Sequence, residues 1–308
     1  MKILFLFIVS FIAIQANAQT VKIVSSGTKT GMRGLSVVDD KTIWVSGSGG
    51  QVGRSLDSGN TWKWMTVKGF EKMDFRDIEA FNATTAVIMG IDAPAYILRT
   101  NDGGENWQVV FKDTTKGMFL DAMEFWNEQA GIVIGDPLKG RFYVARTFDG
   151  GNTWQGIPEQ NKPLADSGEA CFAASGTNIR RLSNAEAIFI TGGLVSNVHV
   201  KNKKTWMVVG GDFNTRDSSV KNAAITFNGG KTWSSPVIPP AGYRSCVEYL
   251  QKKQWITCGL NGVDISNDNG KTFTNISKEG FHVVRKAKKG NAVFFAGGGG
   301  RIGKLIAK

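Results

Sequence analysis

Apolar residues in this chain come in short runs, rich in β-branched and aromatic side chains and cut off by Gly, Asp or Asn. Residues 33–38, 42–46 and 51–55 make one set of three runs. Residues 76–81, 85–90 and 95–100 make a second, and 120–126, 130–135 and 142–147 a third. Runs of this kind bounded by turn formers predict strands. Each set ends in a recurring phrase. It reads Ser55-Leu56-Asp57-Ser58-Gly59-Asn60-Thr61-Trp62, then Thr100-Asn101-Asp102-Gly103-Gly104-Glu105-Asn106-Trp107, then Thr147-Phe148-Asp149-Gly150-Gly151-Asn152-Thr153-Trp154. Later copies are Thr226-Phe227-Asn228-Gly229-Gly230-Lys231-Thr232-Trp233 and Ser266-Asn267-Asp268-Asn269-Gly270-Lys271-Thr272-Phe273. The Asp or Asn can close a tight turn by accepting backbone N–H groups, and the second Gly or its equivalent supplies a positive φ. The closing aromatic is large enough to cover the end of a sheet. With the strand after each phrase, every unit has four strands.

The closing aromatics are 45, 47, 79 and 40 residues apart. A period in the forties built from short strands predicts a β-propeller. The 79-residue interval must hold an irregular unit. Residues 171–174, 187–191 and 197–200 read as one blade whose phrase has decayed, and 206–210 with 222–226 as the next. A further unit runs from Arg244 through 255–258 to the fifth phrase. The last covers 283–285, 292–296 and 302–306, with residues 21–24 as its missing strand. The expectation is an all-β, seven-bladed propeller of four-stranded antiparallel blades closed by the N-terminal strand, with six blades as the alternative.

Composition adds an address. A positive start, an apolar run over residues 3–14 and a small-x-small site at Ala16-Asn17-Ala18 predict a signal peptide over 1–18 and a single domain over 19–308. The run is too short to span a bilayer. The expected location is periplasmic or secreted, and the expected state a monomer. With 38 Gly, 7 Pro and 9 Trp among 308 residues, the chain suits a turn-rich globular β protein. The net charge of +11 favours anionic partners. Export argues against nucleic acid, leaving an acidic protein or an anionic glycan. The three Cys residues form no CxxC, and His199 and His282 are the only His. Neither a metal centre nor a cofactor is expected. Cys246 and Cys258 belong to neighbouring strands. Pairing Leu250 with Trp255 would put their side chains on opposite faces, and a one-residue shift would put them opposite each other. Buried free thiols are the expectation.

Candidate chemistry lies at the starts of the first strands: Arg33-Gly34-Leu35, Arg76-Asp77-Ile78, Leu120-Asp121-Ala122, Glu169-Ala170-Cys171 and Arg244-Ser245-Cys246. Innermost strands begin near the channel mouth, so Arg33, Arg76 and Arg244 should converge there with Asp77, Asp121 and Glu169 nearby. Guanidinium groups so gathered can grip carboxylate or phosphate, or pair internally with those acids. A second candidate is the connection of residues 135–141, carrying Asp136 and Arg141, placed between two strands of the third unit. Residues 164–169 form another.

The repeated phrase matches the Asp-box, or BNR-repeat, pattern Ser/Thr-x-Asp-x-Gly-x-Thr-Trp. In the families that share it, the box is a structural device on the rim. That role falls here to Asp57, Gly59, Trp62, Asp102, Gly104, Trp107, Asp149, Gly151, Trp154, Asn228, Gly230, Trp233, Asp268, Gly270 and Phe273. Met32-Arg33-Gly34-Leu35-Ser36-Val37-Val38-Asp39-Asp40, then Ile43-Trp44-Val45-Ser46-Gly47 and Gly53-Arg54-Ser55, resembles the Ycf48-like, photosystem II stability factor type of propeller. The resemblance implies a non-catalytic assembly factor presenting an Arg-rich face to a partner protein, with Arg33, Arg76 and Arg244 on that face. Leu120 and Glu169 stand where the family would repeat Arg. The competing class is a sialidase-like glycoside hydrolase or glycan-binding protein. It needs three Arg and a Tyr nucleophile with a Glu partner. Only Tyr243, beside Arg244 and near Glu248, offers such a Tyr, and the Arg-Ile-Pro that opens sialidase sequences is absent.

Overall fold

The computed structural model describes residues 19–192 and 195–307. The proposed signal peptide lies outside the described residues. All regular structure is β apart from three short 3-10 turns. The first blade is Met32–Val37, Ile43–Gly47, Gln51–Ser55 and Lys63–Thr66; the second is Phe75–Ala80, Ala86–Gly90, Ala95–Thr100 and Gln108–Asp113. The third is Leu120–Phe125, Gly131–Leu138, Arg141–Thr147 and Gln155–Gly156. The fourth has Val195–Val200, Trp206–Gly210 and Ala223–Thr226, its outer strand reduced to an Ile225–Ser234 bridge. The fifth is Cys246–Gln251, Gln254–Gly259, Gly262–Ser266 and Thr274–Ser277. The sixth is Val283–Lys286, Val293–Ala296 and Ile302–Ala307, completed by Gln19–Ser25 pairing antiparallel with Ile302–Ala307.

The expectation of seven four-stranded blades is therefore corrected to six. The segment taken for a seventh gives only a two-stranded hairpin, Ile179–Arg181 with Ala187–Phe189, set between the third and fourth blades. The cause of the difference is local. Val195–Val200 pairs with Trp206–Gly210, not with the hairpin. The Asn202 side chain closes that turn by accepting from the Lys204 and Thr205 amides, and the Trp206 indole donates to the Asn202 carbonyl. Residues 171–174 form no strand.

The blades are held to one another by apolar seams. Trp44 and Val52 of the first blade pack with Phe75 and Ile88 of the second; Val87 and Ile97 of the second pack with Leu120 and Val133 of the third. The turn phrases reinforce these seams. In each copy the Ser or Thr hydroxyl donates to the Asp or Asn side chain at 2.8–2.9 Å and accepts the amide of the second Gly at 2.9–3.0 Å. The Asp or Asn then accepts the amide four residues on at 2.8–3.0 Å. The second Gly sits at φ +82 to +89, pressed against the preceding blade. A Cβ on Gly59 would lie 3.0 Å from Phe294, and one on Gly151 2.9 Å from Val87. The fourth copy differs. Gly230 faces Trp206 of its own blade and Trp233 is 43% exposed, because only the hairpin precedes that blade.

One further expectation changes, and a register left open is settled. Residues 135–141 are not an interrupting loop. Gly131–Leu138 runs into Arg141–Thr147 through a two-residue turn, Lys139 and Gly140, both at positive φ. Trp255 pairs with Tyr249, with a register shift before Gln251, so Cys246 and Cys258 stand directly opposite each other. Both are free and buried, as is Cys171.

Gly151→Ala should lower stability by about 1–3 kcal/mol, since a side chain there is strained by φ and collides with Val87. Asp149→Asn should be tolerated far better, because Asn228 makes the equivalent bonds in the fourth copy. Urea midpoints of the two variants measure the difference.

Candidate functional site

Four blades begin with a register shift at the same place: between Met32 and Gly34, Phe75 and Asp77, Leu120 and Ala122, and Val195 and Asn197. A β-bulge inserts one residue and re-aims its side chain. In the first three blades the inserted residues are Arg33, Arg76 and Asp121. In the fifth and sixth blades the matching positions, by their backbone bonds to the last residues of the neighbouring strand, are Ser245 and His282. These five residues form a ring at one mouth of the channel.

Residues 173–178 cross that mouth, buried throughout. The Arg76 guanidinium donates to the Ala173 carbonyl at 3.4 Å and Arg33 to the Ala174 carbonyl at 3.1 Å. The Ser175 hydroxyl donates to the Ser245 carbonyl at 2.8 Å, and Arg285 reaches the Gly176 carbonyl at 3.4 Å. Asn197 of the fourth blade also donates to the Ser175 hydroxyl at 3.4 Å, so the segment touches five blades. Only a small residue fits at Gly176, which sits at φ +60 against the Asp77 carboxylate.

The electrostatics of the mouth are set by burial. Arg76 pairs with Asp74 at 2.8 Å, whereas Arg33 meets no carboxylate within hydrogen-bond distance among the described residues. Burial, then the neighbouring Arg76, lowers the Arg33 pKa. Burial, then Arg33, Arg76 and Arg301, pushes His282 down to about 3, so it is neutral. Asp121 is fully buried, and neither carboxylate oxygen meets a hydrogen-bond partner of good geometry among the described residues. Burial and the charge of Asp136 raise it to about 8, with Arg76 opposing. Asp136 accepts the Cys171 amide at 2.9 Å.

Other residues expected at the site lie elsewhere. Arg244 does not join Arg33 and Arg76. It is fully buried, bonded to Asp264, to Asn261 at 2.6 Å, and to the carbonyls of Tyr243 and Ala241. It ties the 241–244 segment to the fifth blade. Arg141 donates to the Lys162 carbonyl at 2.7 Å, and Glu169 accepts from the Thr191 hydroxyl and, at 2.9 Å, from the Asp166 amide. Both secure the loops that approach residues 171–176. Tyr243 is 3% exposed, and Glu248 faces the channel beyond the crossing segment, 3.3 Å from His199.

Residue types alone did not reveal a second ring. Three positions after Arg33, Arg76, Asp121, Ser245 and His282 come Ser36, Glu79, Glu124, Glu248 and Arg285, about 10 Å along the strands. With Asp77, Arg180 and His199 they line a cavity of about 510 Å³. Glu124 pairs with Arg180 and Arg181 at 3.2 Å each, and Glu79 with Lys288 at 2.6 Å. Spacing from the mouth residues was the available signal for this ring.

No family model matches the chain, and no curated protein matches it. Solved structures do. Ycf48 bound to D1 peptide superposes with a TM-score of 0.66 at 16% identity, over 96% of this chain and 97% of that one. Ycf48 from Cyanidioschyzon merolae gives 0.66 at 15%, over 92% and 98%. The WD40 repeats of RRP9 give 0.62 at 11%, over 94% and 98%. At these identities the likeness is one of fold: a Ycf48-like β-propeller.

Arg244→Ala should cost about 3–5 kcal/mol by leaving the buried Asp264 unpaired, whereas Arg33→Ala should cost much less. Thermal melts separate the two. Asp121 titrates in the unusual direction. Between about pH 4 and about pH 8 the folded chain holds a proton that the unfolded chain has released, so its contribution to stability falls as pH rises. Asp121→Asn should raise the melting temperature at pH 8 and change it little at pH 4, measured by calorimetry across that range.

Proposed function

We propose that the chain is an exported, non-catalytic, monomeric propeller scaffold that binds an acidic segment of a partner protein at the plugged mouth, with Arg33 and Arg76 as its principal grip. The repeated turns, read as Asp-boxes, act as staples and take no part in binding. The observation that carries the reading is the composition of this mouth. Two part-exposed guanidiniums lie side by side, and Arg33 has only a carbonyl as acceptor. Beside them Phe172, just before the crossing segment, packs against Phe213 with ring centroids 5.9 Å apart, and both rings are exposed. Arginine and exposed aromatic rings in one patch are the residue types that dominate protein interfaces. The net charge of +11 supports an acidic partner. The fold likeness to Ycf48 bound to D1 peptide agrees with a polypeptide ligand. The signal-like residues 1–18 support periplasmic or secreted placement.

Immobilised protein should retain a specific polypeptide from an envelope extract of its own source. Arg33→Ala with Arg76→Ala should abolish retention while lowering the thermal melt far less than Arg244→Ala does. Retention unaffected by the double variant, or retention of an acidic glycan in place of a polypeptide, would overturn the assignment.

A further inference from the structure

The crossing segment makes the channel blind at one end. Beyond it the cavity of about 510 Å³ opens to solvent between the exposed residues Glu128, Arg181, Lys288 and Lys289. Charges of both signs line it, so what matters is which of them are already matched. Glu124 is engaged by Arg180 and Arg181, Glu79 by Lys288, and Glu248 lies 3.3 Å from His199. Asp77 accepts the amides of Ile78 and Met123 at 2.8 Å each, and burial pushes it up to about 7. Arg285 stands out by its hydrogen bonding: against burial, Cys246 and then the carboxylates of Glu248, Asp77 and Glu124 hold its pKa up, yet none of those carboxylates accepts a hydrogen bond from it among the described residues. Its single hydrogen bond is to the Gly176 carbonyl at 3.4 Å, and its Nη1 is buried with no partner among the described residues. Arg180 is close enough that Arg285, after burial, lowers its pKa. Two guanidiniums thus line one poorly solvated cavity, and one has donors to spare.

We infer that this cavity is a binding site for a small oxyanion, a carboxylate or phosphate group of a free metabolite, held between the forks of Arg285 and Arg180. The guanidinium fork matches either oxyanion with paired N–H donors, and an oxyanion would give the buried Nη1 of Arg285 the acceptor it lacks. Lys288 and Lys289 at the opening raise the local concentration of anions. The site is separate from the mouth that holds Arg33 and Arg76, because residues 173–178 lie between them. It goes beyond the partner-binding reading and does not depend on it.

The test is calorimetric titration of the folded protein with succinate and, separately, inorganic phosphate, with sodium chloride matched for ionic strength. At least one probe should bind with a Kd of about 1 mM or tighter. The probe that binds tells whether the metabolite carries a carboxylate or a phosphate. Arg285→Gln should weaken binding by at least about tenfold. Arg285→Lys, which keeps the buried charge but not the fork, guards against a folding defect and should also weaken it. Arg33→Ala with Arg76→Ala should leave it unchanged. Absence of binding by both probes, binding unaltered in both Arg285 variants, or loss only in the Arg33 and Arg76 variant would overturn the inference.

Discussion

A charged channel through the middle of a protein survives only if its buried donors find acceptors, since an unpartnered guanidinium in a poorly solvated place is costly. Residues 173–178 meet that need with main-chain carbonyls. Ala173 serves Arg76, Ala174 serves Arg33 and Gly176 serves Arg285. A segment that must thread between six blades has little room, and its sequence Ala-Ala-Ser-Gly is correspondingly small. The plug and the missing four-stranded blade are one fact. Residues that regular spacing would place in the inner strand of a blade instead cross the hub. The chain after the plug then forms only a hairpin, Ile179–Arg181 with Ala187–Phe189.

The propeller itself was plain in the sequence because its repeated turns are local. A hydroxyl, a carboxylate or amide two residues on, and a Gly at positive φ close each corner within eight residues. Such a device writes the same letters wherever it is used. What the letters do not carry is which sheet each corner leans on. Gly59 abuts Phe294 of the sixth blade and Gly151 abuts Val87 of the second, but Gly230 abuts its own Trp206. The irregular unit disturbs its neighbour's turn without changing that turn's sequence, so blade number could not be counted from the corners.

The site was half legible, and the reason is register. Lining up Arg33 with Arg244 is correct in residue type and wrong by one position. The residue matching Arg33 in the fifth blade is Ser245, so Arg244 matches Met32 and points into the blade. A shift of one residue along a strand exchanges its faces. It turned an expected ligand contact into a buried ion pair with Asp264. By the same correction Asp121, not Leu120, matches Arg33. Bulges leave no mark in composition, so the three inserted residues could be recognised only once the strand partners were known.

That register also gives the channel two unlike ends. Inner strands carry one channel-facing residue at the bulge and another three positions later, which places Arg33, Arg76 and Asp121 at one level and Ser36, Glu79 and Glu124 at the other. The sixth blade does the reverse, with neutral His282 at the mouth and Arg285 inside. Guanidinium groups therefore concentrate on the first and second blades at the plugged mouth, and on the hairpin and the sixth blade in the open cavity. Because the plug is bonded to both sets, each set has a fixed position relative to the other. A hub of this kind holds two guanidinium-bearing surfaces apart.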